Sequence, residues 1–227
     1  MSPILTQNRR NKSYVIRAGR MTKLQERALR DLYPLYGISF SENMLDYSGV
    51  FERQQPVILE IGFGMGEATL QIAETLGNYN FIGIEVHPPG VGKVLNEIHT
   101  RVLDNLKVIQ YDAVSVLESM IPENSLAGVH IFFPDPWPKK KHHKRRIIDR
   151  DFSAMLAQKI SPGGYLYVTT DWEDYAWGIV HTLSGVAQIK NMYKVFAPTQ
   201  SWRPKTSFEQ KGLKKQHPIR EILFRKE

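Results

Sequence analysis

The chain has 227 residues, no cysteine, and 30 Lys and Arg against 23 Asp and Glu, for a net charge of +7. This length suits one sizeable α/β domain with or without an appended arm, and 42% hydrophobic residues exclude a wholly disordered chain. The lack of cysteine excludes disulfides, thiolate metal sites and cysteine nucleophiles. No apolar run approaches the ~18 residues of a membrane span, and we see no secretory signal, so we expect a cytoplasmic protein.

The positive charge is concentrated in three segments. Residues 9–30 have a net charge of +7, residues 139–146 of +6 and residues 203–227 of +5, which leaves −11 for the rest of the chain. Any one of these runs is compatible with ordinary solvated surface. Three of them on an acidic body favour a polyanionic partner, because neutralising phosphates releases counterions.

A basic arm (1–20) precedes a helix predicted over residues 23–33. Thr22 and Gln25 have the spacing of a capping box at its start. A polar connector then leads to the main domain. We therefore divide the chain into residues 1–50, a basic arm and helix that pack on the main domain, and residues 51–227, the main domain.

From residue 56, short apolar runs alternate with segments of helical length. The predicted strands are 57–61, 80–85, 106–112, 127–135 and 165–171, and the predicted helices are 67–76, 91–104, 113–120, 149–160 and 173–184. Gly163 and Gly164 are expected to cap the helix that precedes the fifth strand. Two further runs, 193–197 and 220–224, are expected to close the sheet as an antiparallel edge. The pattern predicts a Rossmann-like, doubly wound α/β fold with a mostly parallel seven-stranded sheet.

The end of the first predicted strand is rich in glycine. Glu60 precedes Gly62, Gly64 and Gly66, which allow a tight turn and a close approach of the backbone to a ligand. The next residue, Glu67, would place a carboxylate near a pyrophosphate. The turn therefore disfavours a dinucleotide and favours a cofactor without a phosphate at this point.

The next two strands also end in acids. Glu85 can accept both hydroxyls of a ribose, and Asp112 can accept an adenine amino group. Three acids at strand ends suit S-adenosylmethionine, a nucleoside that carries a sulfonium and an ammonium. The alternative, that each acid only caps the following helix, is weaker for the ordered set than for any single acid.

The fourth predicted strand ends in FFPDPWPK, a loop that three prolines make rigid. The loop resembles the Asp-Pro-Pro-aromatic loops of methyltransferases that act on planar nitrogen, which implies that Asp135 lies where a methyl group is delivered. Trp137 either stacks on a base or packs the loop. The loop continues into KKKHHKRR, for which we predict RNA contacts from Lys140, Lys141, His142, His143, Lys144, Arg145 and Arg146. With no cysteine and no nearby acid, His142 and His143 are not expected to bind metal.

These segments resemble a known family. VILEIGFGMGEATLQIA, FIGIEVHPPGVGKVL, FFPDPWPKKKHHKRRI and PGGYLYVTTDWEDYA are similar to motifs of the bacterial tRNA (guanine-N7)-methyltransferases, as are KSYVIRAGRMT and RPKTSFEQKG near the two ends. The resemblance implies methyl transfer from S-adenosylmethionine to N7 of guanine 46 in the variable loop of tRNA. Ser207 departs from the Lys or Arg that the family often carries there.

The resemblance also implies roles for individual residues. Asp135 is the expected catalytic residue. Cofactor contacts are expected from Glu60, Gly62, Gly64, Gly66, Glu85, Asp112, Ala113 and Asp135. Substrate contacts are expected from Lys139, Asp171, Thr206, Ser207, Phe208 and Glu209. We expect a monomer or a homodimer, with tRNA as partner and neither a metal nor a membrane.

The chemistry is consistent with this reading, because guanine N7 has no proton to lose and needs no strong base. Two alternatives stay open from the residues alone: a non-catalytic RNA-binding subunit, and a methyltransferase acting on another amino group or on a small molecule. Asp171 can also cap the helix after it. Trp202 and Arg203 either line the substrate entrance or dock the C-terminal tail.

Overall fold

The computed structural model describes residues 13–14, 20–205, 209 and 218–227. The predicted contacts of Thr206, Ser207 and Phe208 lie outside the described residues, as does most of the basic arm. No helix in the described part is long and apolar enough to cross a membrane.

Seven strands form one sheet in the order β3-β2-β1-β4-β5-β7-β6. Their bounds are β1 Val57–Ile61, β2 Asn80–Ile84, β3 Leu106–Ile109, β4 Leu126–Phe132, β5 Ile160–Thr170, β6 Ile189–Asn191 and β7 Arg220–Lys226. The first five strands pair in parallel, and β7 runs antiparallel to both of its neighbours. The predicted fold, a mostly parallel sheet with an antiparallel edge, is confirmed.

Helices cover both faces of the sheet. They are α1 Lys23–Tyr36, α2 Tyr47–Val50, α3 Glu67–Thr75, α4 Pro88–Arg101, α5 Ala113–Ser119, α6 Arg150–Lys159 and α7 Glu173–Ser184. One buried apolar cluster includes side chains of α5, α6 and α7, and the second includes side chains of α1, α3 and α4. This two-sided cover explains why the parallel strands are mostly apolar, without a regular alternation of polar residues.

Helix α1 is fixed at its start and along its length. Thr22 and Gln25 form the predicted capping box. Ala28 is buried, and a Cβ at Gly92 of α4 would overlap the backbone carbonyl of Gln25. Glycine at position 92 therefore lets the two helices pack closely. The division of the chain at residue 50 stays a prediction.

The strand predicted at 193–197 is wrong. The edge strand is β6, Ile189–Asn191, and within 193–197 Ala197 makes an isolated bridge to Glu221. The side chain of Asn191 accepts from the backbone N–H of Tyr193 and donates to the carbonyl of Val195. These local bonds turn the chain away from the sheet and override the β propensity of the run.

Two predicted boundaries are also wrong. Strand β5 begins at Ile160, so Gly163 and Gly164 lie within the strand and do not cap a helix. Gly163 has φ +78°, which explains a glycine at that point of the strand. Helix α4 begins at Pro88 and not at residue 91, because proline suits the first turn of a helix.

Candidate active site

A cavity of about 240 Å³ opens at the carboxyl ends of the parallel strands. Five of the predicted site residues line it, namely Gly62, Glu85, Asp112, Ala113 and Asp135. This is the edge of the sheet at which α/β proteins bind ligands. The topology thus brings together residues that lie up to 73 positions apart in the sequence.

The glycine turn after β1 has the backbone that the sequence predicts. Gly62, Gly64 and Gly66 have φ of +76°, +57° and +73°, a region that favours glycine. A Cβ at Gly62 or Gly64 would point into open space, whereas one at Gly66 would overlap the side chain of Val94. The first two glycines therefore leave room for a ligand, and the third allows α3 and α4 to pack.

Glu85, which follows β2, is held by the backbone. Its Oε2 accepts from the N–H of Gly64 at 2.8 Å, and its Oε1 accepts from the N–H groups of Val86 at 2.6 Å and His87 at 2.9 Å. These bonds tie the glycine turn to the end of β2. The carboxylate also lines the cavity, where its remaining lone pairs can accept ribose hydroxyls.

Glu60 lies in β1 with 3% of its surface exposed. Burial raises its pKa to about 8, and the negative charge of Glu85 adds to this effect. Among the described residues, Glu60, Gly64 and Gly66 do not line the cavity itself. They support the turn around it, and their direct contact with a cofactor stays a prediction.

Asp112 combines two functions. Its side chain accepts from the backbone N–H of Ser115 at 3.1 Å and so caps α5, and it also lines the cavity. Tyr111 lines the cavity as well, with its ring stacked 3.9 Å from that of Phe40. Tyr111 is not among the residues predicted for the site, although its position beside Asp112 is a usable signal.

The loop after β4 carries Asp135 between two strained residues. Phe133 and Trp137 have φ of +49° and +45°, which is unfavourable for aromatic residues and is found where the surrounding structure imposes it. The N–H of Phe133 donates to the carbonyl of Thr169 on β5 at 2.9 Å. Asp135 itself is exposed and borders the cavity.

Arg146 supports this loop through a hydrogen bond and an ion pair. Its Nε donates to the carbonyl of Pro136 at 2.9 Å, and its terminal nitrogen pairs with Asp174 on α7 at 2.7 Å. Its guanidinium lies 4.6 Å from the centre of the ring of Tyr175, and 12% of its side chain is exposed. Arg146 therefore supports the loop, and the RNA contact expected for it from the sequence stays a prediction.

Trp137 packs the loop in this structure. Its Nε1 donates to the carbonyl of Ser13 at 3.2 Å, and the guanidinium of Arg145 lies 5.1 Å from the ring centre. Ser13 and Tyr14 also line the cavity, so this part of the basic arm adjoins the site. The predicted stacking of Trp137 on a base stays a prediction.

The basic run after the loop folds into a 3₁₀ helix, Lys140–Arg145. The side chains of Lys139, Lys140, Lys141 and Lys144 are exposed. The pKa of His142 is lowered by loss of hydration and by the cations around it. The exposed lysines are the part of this run that is available to a polyanion.

Three cations among the described residues of the C-terminal segment have partners within the fold. Arg203 and Lys226 are buried, and Arg220 pairs with Glu173 at 3.2 Å. Arg220 begins β7 opposite Thr170, at the edge of the sheet that carries the cavity. These three cations stabilise the fold and add little to a basic surface.

The predicted substrate residues differ in their surroundings. Lys139 is exposed, and Asp171 follows β5, half-buried, with no hydrogen bond or ion pair to any described residue. The N-cap of α7 is Trp172, so Asp171 does not cap that helix. Glu209 is buried and paired with Arg203. Among the described residues, no group of three or more His, Asp or Glu side chains is arranged to hold a metal.

Comparisons of this chain with known proteins find methyltransferases at the level of the family model, of curated relatives and of solved structures. A family model described as "Putative methyltransferase" matches residues 54–222. The tRNA (guanine-N(7)-)-methyltransferase of Nitrosomonas eutropha is 48% identical over 95% of this chain and 96% of its own length, and that of Nitrosospira multiformis is 46% identical over 95% and 94%. The crystal structure of the 16S rRNA methyltransferase KamB is 12% identical, covers 82% of this chain and 95% of its own, and superposes with a TM-score of 0.60, which shows a shared fold.

Proposed function

Since the chain belongs to the tRNA (guanine-N7)-methyltransferase family, we propose that it methylates N7 of guanine 46 in the variable loop of tRNA. S-adenosylmethionine is the methyl donor, and the products are 7-methylguanosine and S-adenosylhomocysteine. One observation carries the proposal for this chain: a single cavity joins the glycine turn and the strand-end acids to Asp135, beside an exposed basic helix.

The cofactor side of the cavity fits S-adenosylmethionine, which supplies an electrophilic methyl group on a sulfonium. All three of Glu85, Asp112 and Ala113 line the cavity. Glu85 is proposed to accept the ribose hydroxyls, and Asp112 and Ala113 are proposed to contact the adenine. The open space beside Gly62 and Gly64 lets the backbone approach the ligand closely. Burial raises the pKa of Glu60, so this acid can release its proton when a ligand that carries a sulfonium and an ammonium binds.

Asp135 acts by its charge in this proposal. Guanine N7 is an sp² acceptor without a proton, so no base has to remove one. Transfer moves positive charge from the sulfur onto the purine, and a fixed carboxylate beside the ring stabilises that developing charge. The loop that holds Asp135 is rigid, which helps to keep sulfur, methyl and N7 in line.

The substrate side provides the contacts to tRNA. Lys139 lies in the loop after β4, and Asp171 directly follows β5. Both are proposed to bind the nucleotide, together with the segment 206–208. The exposed lysines of the 3₁₀ helix are proposed to bind phosphates. Because tRNA is the substrate, we propose a cytoplasmic enzyme, acting as a monomer or a homodimer.

The proposal is tested by methyl transfer to a defined transcript. Labelled S-adenosylmethionine is incubated with unmodified tRNA and with the same tRNA carrying adenine at position 46, and the labelled nucleoside is mapped after nuclease digestion. We expect label in 7-methylguanosine from position 46 of the first transcript and none in the second. Label at an amino nitrogen, or equal label in both transcripts, would refute the proposal.

A further inference from the structure

Helix α7 carries an exposed tryptophan near the carboxyl edge of the sheet. All four tryptophans of the chain lie among the described residues, and Trp177 is the one that is more than half exposed, at 51%. The side chains that the helix buries lie on its opposite side, namely Tyr175, Ala176, Ile179 and Leu183. Packing in the core therefore does not account for the large apolar ring at this position.

The ring of Trp177 is held by a neighbouring ring. Its centroid lies 5.1 Å from that of Phe196, with the two planes at 66°, in an edge-to-face arrangement. The backbone on both sides of Phe196 is fixed. Val195 accepts a hydrogen bond from the side chain of Asn191, and Ala197 donates one to β7. The indole thus has a fixed support while half of its surface stays in solvent.

Arg220 joins the two rings to the end of the sheet. Its guanidinium lies 5.5 Å from the centre of the Phe196 ring and donates to Glu173 at 3.2 Å. Glu173 and Trp177 are four residues apart on α7, so they are neighbours on the helix surface. Arg220 begins β7 beside the last residue of β5, which Asp171 follows. We call Trp177, Phe196 and Arg220 the aromatic platform.

The aromatic platform lies near the substrate side of the cavity. Helix α7 begins two residues after Asp171, and Trp177 is four residues further on, or about 6 Å along the helix axis. The same first turn carries Asp174, the partner of Arg146, which supports the loop of Asp135. The platform and the proposed nucleotide site therefore share the start of α7.

The charges around the aromatic platform are already paired. Arg220 pairs with Glu173 at 3.2 Å, and Arg146 pairs with Asp174 at 2.7 Å. A phosphate would meet these two carboxylates, whose side chains are 67% and 68% exposed. The face of a nucleic-acid base is uncharged and stacks on aromatic side chains whatever its sequence. The platform therefore fits a base better than a phosphate.

The aromatic platform is small compared with a protein interface. A stable interface buries about 800 Å² on each partner, whereas one tryptophan buries at most about 250 Å². A single base needs no more than such a ring. Enzymes that act on a base take it out of its stack, so the neighbouring base loses a stacking partner. An exposed indole beside the site can replace that partner.

We propose that Trp177 stacks on the nucleotide next to the methylated guanine of tRNA, and that this contact strengthens tRNA binding without taking part in methyl transfer. Phe196 and Arg220 hold the indole in place for this contact. The inference rests on the proposed function. It adds an uncharged contact that lies outside the three basic segments of the sequence.

The first test compares Trp177→Ala with Trp177→Tyr, which keeps a ring that can stack. Filter binding of tRNA is measured over a series of salt concentrations. We expect Trp177→Ala to bind tRNA about 5- to 30-fold more weakly with the same salt slope, because stacking releases no counterions. Trp177→Tyr should stay within about threefold of wild type. The single-turnover rate at saturating tRNA and the affinity for S-adenosylmethionine should be unchanged in both.

The matched control is Leu35→Ala, which shortens an apolar side chain that is 58% exposed. The carbonyl of Leu35 accepts from Lys107 on β3, so this residue lies at the opposite edge of the sheet. Its tRNA affinity should equal that of wild type.

The second test identifies the base. Two transcripts of the same tRNA are abasic on the 5′ side or on the 3′ side of guanine 46. We expect wild type to bind one of them as weakly as Trp177→Ala binds intact tRNA. On that transcript Trp177→Ala should cause no further loss, because the two changes remove the same contact.

Three results would overturn the inference. The first is wild-type affinity of Trp177→Ala for intact tRNA. The second is a further loss from Trp177→Ala on both abasic transcripts, which would place the contact elsewhere. The third is a lower sedimentation coefficient of free Trp177→Ala, which would show that a second copy of the chain occupies this surface. Failure of the proposed function would be visible separately, since wild-type protein would then not methylate tRNA.

Discussion

The cofactor side of the cavity is held by hydrogen bonds from backbone N–H groups, whereas the substrate side is held by the side chains of cations. Glu85 accepts from three backbone N–H groups of the turns around it. Arg146 reaches back to Pro136 and across to Asp174, and Arg203 bridges to Glu221. The basic residues therefore fall into two groups. Exposed lysines are available to RNA, whereas cations such as Arg203 are buried and support the fold.

The largest effect is expected on the cofactor side. Glu85→Ala removes the acceptor of three N–H groups and the proposed partner of the ribose, so affinity for S-adenosylmethionine should fall about 100-fold. Titration calorimetry measures this, with exposed Glu118→Ala as the matched control. Retained cofactor affinity in Glu85→Ala would break the account of this side.

The next prediction separates the substrate side of the cavity from the cofactor side. Arg146→Met removes the support of the loop, so the single-turnover rate should fall about 10- to 100-fold while cofactor affinity changes little. The exposed neighbour Lys144→Met is the control and should leave the rate at saturating tRNA unchanged. Equal effects of the two substitutions would mean that Arg146 is one more RNA contact.

A smaller effect is expected for the exposed cations. Lys140→Met should weaken tRNA binding a few-fold and lower the slope of log affinity against log salt by about 1, because one phosphate contact is lost. Lys190→Met, an exposed lysine on β6, should leave the slope unchanged. A filter-binding series in increasing salt distinguishes them, and identical slopes would place the RNA elsewhere.

The smallest effect concerns the pH dependence of stability. The pKa of Glu60 is raised to about 8, so the native state holds a proton that the unfolded chain has released. The stability that this neutral form contributes is complete below about pH 4.5 and is lost as pH rises to about 8. Calorimetric melting of Glu60→Gln without cofactor should show a decline in Tm over this range that is smaller by a few degrees. An unchanged decline would exclude the raised pKa.

Much of the fold could be predicted from local pattern. The five parallel strands are mostly apolar runs separated by helical segments, a pattern that predicts parallel strands joined by helices but does not give their order. The run 193–197 has the composition of a strand, but the side chain of Asn191 forms a turn with it. The β propensity of a segment does not show whether local side-chain hydrogen bonds or strand pairing will prevail.

Part of the candidate site could also be predicted, because several of its residues follow strands. Glu85, Asp112 and Asp135 follow strands, and the topology alone brings strand ends together. The burial of Arg146 and Arg203 depends on partners 28 and 18 residues away, Asp174 and Glu221. A count of basic residues along the sequence cannot separate cations with such partners from those in solvent.

The central chemical claim is that Asp135 stabilises charge on the purine and does not remove a proton. Its most direct test is the single-turnover rate of wild type and Asp135→Asn between about pH 6 and 9, at saturating cofactor and tRNA. We predict that Asp135→Asn is about 100-fold slower and that both proteins have the same shape of pH profile. An unchanged rate in Asp135→Asn would contradict the claim, as would a wild-type profile with a rise that the variant lacks.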